Sequence, residues 1–557
     1  MAPPRHAAPF SRRLLAALRS PLFLALAAGT IAACGFQPLM LWPLTLAGVA
    51  ILFALLRRAS TVRSAFGLGW IFGLGHFTLG NNWIATAFTY QASMPIWLGG
   101  IAVFLLSLYL ALFPALACAL AAGLMPRLRA LLRTGNDAVT LNRIGFALIF
   151  AACWIVTEWL RGWLFTGFPW NPIGIALLGG FHVQGLAMLT PWIGTYGLSG
   201  ALVLISGLIA LGLQAIRSCN GSQRLLYALP VLALAAGLGL VMTLPDTWSE
   251  HREGAIRFTL IQPDIRQEFI DDPRQFENNF VKMAQLSLPL EPGSKRVVFW
   301  PESGLGGYLR DGYPSYFYQM YTYAGDPDIA RKRIGRVIGP YSLLLTGLVD
   351  LVMENGDDVA ARNTITAFNG NGNILASYSK AHLVPFGEYL PMRDLLEPIG
   401  LSRLVPGTLD FWPGPGPRTI DLGAYGEAGM QICYEIVFSG EVVDPLNRPD
   451  YIFNPSTDGW FGGWGPPQHL AQARLRAMEE GLPVMRSTTT GISAVIDANG
   501  LVRKYLPWQT AGRIDGFIPP AHEPTLFARF GNALPLGFAT VLLLLALCMV
   551  ALEGRRS

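Results

Sequence analysis

Apolar residues gather along the first part of the chain in runs long enough to cross a bilayer. The runs fall at roughly 18–34, 38–56, 64–82, 96–124, 144–161, 193–216 and 225–244, with one more at 533–552. This pattern predicts about eight spanning helices, one of which follows a long polar stretch. The first two are short and meet at Gly35-Phe36-Gln37-Pro38, which reads as a tight hairpin. From Ala255 the texture changes. Short β-type runs appear at Arg257–Gln262, Arg296–Trp300, Ser342–Leu348, Thr364–Asn369, Ile374–Tyr378, Ala428–Cys433 and Tyr451–Asn454, then at Leu482–Ser487 and Ser493–Asp497. They alternate with helical or polar stretches, among them Gln468–Glu480, rich in Ala, Leu, Arg and Glu. Such alternation predicts a layered α/β domain. The expected organisation is a membrane helical region over 1–249, an α/β domain over 250–525, and a last span with its tail over 526–557. Residues Gly306–Arg336, rich in Tyr, Asp and Arg, read as an inserted loop or lid.

Composition agrees with that division. Of the 557 residues 52% are hydrophobic and 14% charged, which fits a membrane protein carrying one soluble domain; the mean hydropathy is +0.39. A net charge of +5 is modest for this length and does not point to nucleic acid.

The placement of the basic residues says more. Arg5, Arg12, Arg13 and Arg19 precede the first run, Arg57, Arg58 and Arg63 separate the second and third, and Arg127, Arg129, Arg133 and Arg143 the fourth and fifth. Arg217 and Arg224 lie between the sixth and seventh, and Arg555 and Arg556 close the chain. The alternate loops near 35–38, 83–95 and 164–192 hold no Lys or Arg. The positive-inside rule then puts both termini in the cytoplasm and residues 250–525 on the far side.

Three features of the apolar part need weighing. Ile31-Ala32-Ala33-Cys34 resembles a lipoprotein cleavage site, but the apolar pattern resumes at Pro38-Leu39-Met40-Leu41-Trp42, so residues 1–34 are kept as a span. Gly67, Gly69, Gly73 and Gly75 lie inside an apolar run, where small residues let helices approach closely. Glu158 and Arg161 are charges at the end of a span, and such charges are costly. At i, i+3 they are placed to pair on one helix face. The aromatic, Pro-interrupted Gly162–Pro172 that follows reads either as an interfacial loop or as a lipid-facing part of an active site.

Of the six cysteines, Cys34, Cys118, Cys153 and Cys548 lie in apolar runs and Cys219 in a short loop between two; Cys433 stands alone in the polar part. Followed by Glu435, it reads equally as a managed nucleophile or as a core cysteine. Glu302, Lys380 and Cys433 each come at or just beyond the end of an apolar strand, where open α/β sheets place their sites. Singly, each reads more readily as a solvated strand-end residue than as a catalytic one. No metal-ligand spacing is visible among the seven histidines, and no dinucleotide fingerprint follows a strand.

Together with Glu388 these residues sit in Trp300-Pro301-Glu302, Lys380-Ala381-His382-Leu383-Val384-Pro385-Phe386-Gly387-Glu388 and Cys433-Tyr434-Glu435. At these positions the sequence resembles the nitrilase superfamily, whose members use a Glu, a Lys and a Cys. With its membrane frame, the chain resembles the apolipoprotein N-acyltransferase family over nearly its whole length. Asp458-Gly459-Trp460-Phe461-Gly462, Gln468-His469, Arg486-Ser487-Thr488, Arg161-Gly162-Trp163, Phe168-Pro169-Trp170 and Gly194-Thr195-Tyr196-Gly197-Leu198-Ser199 also fit.

The resemblance implies an α-β-β-α sandwich beside a membrane bundle of about eight spans, in a bacterial inner membrane with the catalytic domain periplasmic. It implies acyl transfer from a phospholipid, with phosphatidylethanolamine the expected donor, through a Cys thioester to the α-amino group of a lipoprotein's N-terminal diacylglyceryl-cysteine. Glu302 would be the base, Lys380 the oxyanion cation and Cys433 the nucleophile, supported by Glu388, Glu435 and Tyr434. Trp460, Phe461, Arg161 and Trp163 would contact substrate. No cofactor, metal or nucleic acid is implied.

Several positions depart from the family pattern. Asp264 stands where an Asn is expected, Ile270-Asp271 replace a nearby tryptophan, Thr457 and Thr489-Thr490 replace asparagines, and the 306–336 insert is longer than expected. The alternative reading is a membrane-tethered amidase, in which water rather than an amine resolves the acyl-enzyme. A silent scaffold that binds lipoproteins is a third, opposed by the intact Glu302, Lys380 and Cys433.

Overall fold

The computed structural model describes residues 18–90, 95–132, 140–245, 252–399, 403 and 409–554. The expected boundary at 249–250 lies outside these, as do Arg5, Arg12, Arg13, Arg133, Arg555 and Arg556.

Helices form over each of the apolar runs. Five stretches are long and apolar enough to cross a membrane: Trp97–Leu132, Asn142–Trp163, Leu186–Ser218, Ser222–Thr243 and Ala533–Leu552. Pro21–Ala33 and Trp42–Leu56 have only 13 and 15 residues. At 1.5 Å per residue they rise about 20 Å, short of a hydrocarbon core of about 30 Å. They pair as a hairpin, where Thr45 donates to the Ala32 carbonyl at 2.7 Å. The glycines of the Val62–Gly80 helix are contact points. A Cβ on Gly69 or Gly73 would stand 2.5–2.7 Å from backbone of residues 111–115, and one on Gly75 would strike the Leu26 carbonyl at 2.5 Å. Gly67 faces open space.

The α/β domain contains two six-stranded sheets. The strands are β1 (Arg257–Gln262), β2 (Arg296–Phe299), β3 (Ser342–Glu354), β4 (Asp357–Asn369), β5 (Ile374–Ser379), β6 (Thr419–Asp421), β7 (Glu427–Met430), β8 (Tyr451–Ser456), β9 (Val484–Thr488), β10 (Ser493–Ile496), β11 (Val502–Leu506) and β12 (Gly512–Phe517). One sheet runs β12-β1-β2-β3-β4-β5 and the other β11-β10-β9-β8-β7-β6. β1, β2 and β3 are mutually parallel, as are β7, β8 and β9.

The sheets stack on Phe258, Phe299, Leu345, Ile432, Phe453 and Met485. Helices Phe276–Ser287 and Pro327–Ile338 cover the first sheet, packing Phe280, Met283, Ile334 and Ile338 onto Val298, Trp300 and Leu344. Helix Gly465–Glu480 covers the second, setting Leu470, Ala473 and Ala477 against Ile452, Val484 and Ile496. The layers therefore run helix, sheet, sheet, helix.

β3 and β4 are each 13 residues, longer than the sequence pattern indicates. They close on Asn355-Gly356 with φ of 54° and 95°, both left-handed, as the tight hairpin turn requires. β6, β11 and β12 carry too few alternating apolar residues to stand out from sequence.

Helix Gly465–Glu480 also joins the two halves. Its Arg474 donates to the carbonyls of Gly179, Gly180 and Val183 at 2.8–3.0 Å. Glu479 accepts from the Thr195 backbone N–H at 2.6 Å, and Gln468 accepts from Trp170 and Asn171 at 2.9 Å. Buried charges thus meet backbone groups of the membrane part, which removes most of the cost of burying them.

Candidate active site

Glu302, Lys380 and Cys433 come together at one end of the sandwich, each leaving a different strand. Glu302 follows β2 through Trp300-Pro301, and Gly347 in β3 makes room for that turn: a Cβ there would lie 1.9 Å from the Glu302 carbonyl oxygen. Lys380 follows β5, where its backbone N–H donates to the Asn363 carbonyl at 2.8 Å. Cys433 lies just beyond β7, at the start of a short 3-10 turn over Cys433–Val437, rather than at a strand end. Its φ is 50°, a left-handed conformation that costs a non-glycine residue about 1–3 kcal/mol and persists only where surrounding contacts hold it.

The charges are buried and tightly paired. Lys380 Nζ lies 3.0 Å from Glu388 Oε1 and 3.5 Å from Glu302 Oε1. Between these carboxylates stands the Asn363 amide, donating to Glu302 at 2.8 Å and to Glu388 at 2.9 Å. The other Glu388 oxygen accepts from the Val384 backbone at 2.8 Å. Burial works most strongly against the Lys380 ammonium, but Glu388, Glu302, Cys433 and Glu435 together hold its pKa above the ordinary lysine value.

Burial pushes the Cys433 thiol well above the usual range; Glu302 adds to this, while Lys380 and the Thr457 backbone N–H oppose it. The thiol is therefore neutral at pH 7 and needs a base to react.

Glu435 accepts from Ile432 N–H, Tyr378 O–H and Ala381 N–H, each at 2.7 Å, and from His382 N–H at 3.2 Å. It ties the segment bearing Lys380 to the turn bearing Cys433, and makes no direct contact with the Lys380 ammonium. Tyr434 Oη donates to the Gly167 carbonyl at 3.4 Å, linking the Cys433 turn to the aromatic loop of the membrane part.

That loop is organised by Arg161. Its guanidinium donates to the Phe168 and Trp170 carbonyls at 2.8 Å each, pairs with Glu158 at 3.7 Å and lies 5.3 Å over the Phe77 ring. Trp163 is 48% exposed and Phe165 88% exposed. Phe461 packs against Trp83, Trp170 and His469 with ring centroids 4.6–5.9 Å apart, and Trp460 meets Tyr90 at 5.7 Å. Arg161 and Phe461 are thus packed against protein groups, Trp163 faces outward, and Trp460 is half-buried.

Asn363 carries no sequence signal, being one polar residue inside an alternating strand. Gln468-His469 forms part of the resemblance but says nothing of contact with Cys433, yet His469 Nε2 lies 3.0 Å from the Cys433 carbonyl. Asp264, just beyond β1, has a left-handed φ of 50°. Among the described residues no group of three or more His, Cys, Asp and Glu is placed to hold a metal ion.

The arrangement brings a thiol, a buried cation and a carboxylate together, a set of groups that suits attack on an acyl carbon. Residues 28–208 match a family model described as the apolipoprotein N-acyltransferase N-terminal domain, and residues 259–521 match the carbon-nitrogen hydrolase model. An apolipoprotein N-acyltransferase of Rhodopseudomonas palustris is 33% identical over 552 residues, covering 96% of this chain and 95% of that one. One from Bradyrhizobium diazoefficiens is 32% identical over 525 residues, covering 91% of each. One from Nitrosomonas europaea is 31% identical over 547 residues, covering 96% and 98%. Among solved structures, an amidase from Nesterenkonia sp. is 18% identical, with a TM-score of 0.32, covering 48% of this chain and 92% of that one.

Proposed function

This chain belongs to the apolipoprotein N-acyltransferase family, and we propose that Glu302, Lys380 and Cys433 carry its acyl transfer through a thioester on Cys433. The chain is an acyltransferase and a multi-pass membrane protein. The observation that carries the residue assignment is Lys380 held between Glu302 and Glu388 at 3.5 and 3.0 Å, with Cys433 in the same field.

In the first half-reaction Glu302 takes the proton of the Cys433 thiol, and the sulfur attacks an ester carbonyl of a phospholipid. Negative charge develops on the carbonyl oxygen, where the Lys380 ammonium and the backbone N–H beyond Cys433 stabilise it. Collapse breaks the ester C–O bond. Glu302 returns its proton to the leaving oxygen, and a lysophospholipid departs from an acyl-Cys433.

In the second half-reaction the α-amino nitrogen of a diacylglyceryl-cysteine attacks the thioester. Glu302 takes a proton from that nitrogen, the C–S bond breaks, and the thiol regains the proton as the amide leaves. Phosphatidylethanolamine is the donor proposed.

The topology proposed follows the basic loops: both termini cytoplasmic, the α/β domain on the periplasmic side of the inner membrane. There both substrates reach the site by lateral diffusion. The outward-facing Trp163 and half-buried Trp460 are the proposed contacts for acyl chains. Arg161 and Phe461 act beneath them by fixing the loop and the aromatic floor.

The test is transfer in proteoliposomes of phosphatidylethanolamine containing a diacylglyceryl-cysteine peptide. Wild type adds one acyl chain to the peptide and the Cys433→Ala variant adds none. Release of free fatty acid with the peptide unchanged would instead make water the acceptor.

A further inference from the structure

We propose that His469 is a positioning residue for this reaction: its Nε2–H, set by Asp458 and Arg486, holds the Cys433 carbonyl and with it the left-handed turn that presents the nucleophile. The inference rests on the assignment of Cys433 as nucleophile and deepens it.

Three observations converge on the ring. His469 Nε2 lies 3.0 Å from the Cys433 carbonyl oxygen, which has no proton to offer, so the histidine is the donor. Asn454 Nδ2 is a second, longer donor to the same oxygen at 3.4 Å. Nδ1 lies 3.0 Å from Asp458 Oδ1 and 3.0 Å from Arg486 Nη2. Arg486 in turn grips Asp458 at 2.7 and 2.9 Å. All three side chains are 0% exposed.

Two protonation states satisfy these contacts. In the neutral ring Nδ1 accepts from Arg486, and in the imidazolium it donates to Asp458. Nε2 carries its proton in both. Asp458 and Arg486 are the charged groups that face the ring, with Trp170 and Phe461 packed on it at 5.2 and 5.9 Å. The donor to Cys433 is therefore present in both; the remaining tautomer, protonated on Nδ1 alone, would set a bare Nε2 against the carbonyl oxygen at 3.0 Å.

That matters because the Cys433 backbone, at φ 50°, is not self-supporting. The carbonyl held by His469 belongs to the same peptide unit as the N–H placed to meet the oxyanion. Donation to one end of a peptide polarises the other. Loss of the donor would loosen the turn and weaken that N–H together.

The experiment compares His469→Gln with His469→Asn in the full-length protein. A Gln amide reaches the Cys433 carbonyl as Nε2 does; an Asn amide reaches only as far as Nδ1 and keeps Asp458 and Arg486 partnered. With phospholipid donor, the Asn variant is expected to form acyl-Cys433 about a hundredfold more slowly at unchanged donor KM, the loss typical of a nucleophile displaced by about 1 Å. The Gln variant should stay within about fivefold of wild type, since a donor of similar reach is restored. Should the Asn variant fail to fold, His469→Met, which fills the space without a donor, takes its place.

Equal rates for the two variants, or a Gln variant that neither folds nor reacts, would overturn the proposal. Alkylation of Cys433 by iodoacetamide gives a readout free of any lipid. If wild type forms no acyl adduct from phospholipid, the function proposed above fails, while a faster alkylation of the Gln than of the Asn variant still upholds the role of His469.

Discussion

Asn363 donates to Glu302 at 2.8 Å, and the same amide nitrogen reaches Glu388 at 2.9 Å. Two carboxylates near one lysine would repel; the amide stands between them and holds Glu302 beside Lys380. The assigned base is therefore held by a residue from the middle of β4.

Replacing Asn363 by Leu removes that donor while keeping the volume. The rate of acyl-Cys433 formation should fall about a hundredfold, the low end of the loss for a displaced general base. Quench-flow with labelled phospholipid measures it. An unchanged rate would show that Glu302 does not need the amide.

Lys380→Met leaves Glu302 and Glu388 without their cation, and the proposed oxyanion without its partner. The expected loss is about 10²–10³ in kcat, as for removal of one oxyanion donor. A steady-state comparison in mixed micelles should find donor KM nearly constant. A change confined to KM would assign Lys380 to ground-state binding.

Much of this site was legible in the chain and some was not. Cys433 stood out as the one cysteine in polar surroundings, and Glu302 and Lys380 each closed an apolar strand; such positions are local and leave a pattern. Asn363 and His469 meet partners far away along the chain, and their neighbours in sequence give no hint of them. Helix Gly465–Glu480 shows the same limit: composition marks it as a helix rich in Ala, Leu, Arg and Glu, and gives no sign that Arg474, Arg476, Glu479 and Glu480 are all buried. Their partners include carbonyls at 179, 180 and 183 and the Thr195 N–H, brought there by the membrane helices. The positions of the apolar runs were readable, while helix lengths in the opening hairpin depended on where its turn falls.

Burial raises the Cys433 pKa well above the usual thiol range. Below that pKa the sulfur is protonated, so alkylation by iodoacetamide should climb steadily from pH 6 to 9 without a plateau. Mass spectrometry of the peptide containing Cys433 follows it. A plateau near pH 7 would mean a thiolate already present at neutrality.

Burial, followed by repulsion from Glu479, raises Glu480 from 4.5 to about 7. Between those values the folded protein keeps a proton that the unfolded chain has lost, so stability falls as pH rises through this window. The full effect is about 3 kcal/mol. Glu480→Gln should match wild type at pH 4.5 and melt several degrees higher at pH 8 in detergent. The same melting difference at both pH values would contradict the titration.

Arg161→Met would strip the Phe168 and Trp170 carbonyls of their donor and leave Glu158 buried without its cation. Breaking a buried pair in this way costs about 3–5 kcal/mol. Thermal melts should register a clear drop, and proteolysis should reach the 162–172 loop. A variant as stable as wild type would free Arg161 for a direct role at the lipid.

The most direct test of the whole account is intact-protein mass spectrometry after incubation with a defined phosphatidylethanolamine. The account predicts a mass gain of one acyl chain, located on Cys433, labile to hydroxylamine, absent from Cys433→Ala and discharged by a diacylglyceryl-cysteine peptide. A protein that transfers acyl chains to the peptide with no adduct on Cys433, or equally well without that cysteine, would contradict it.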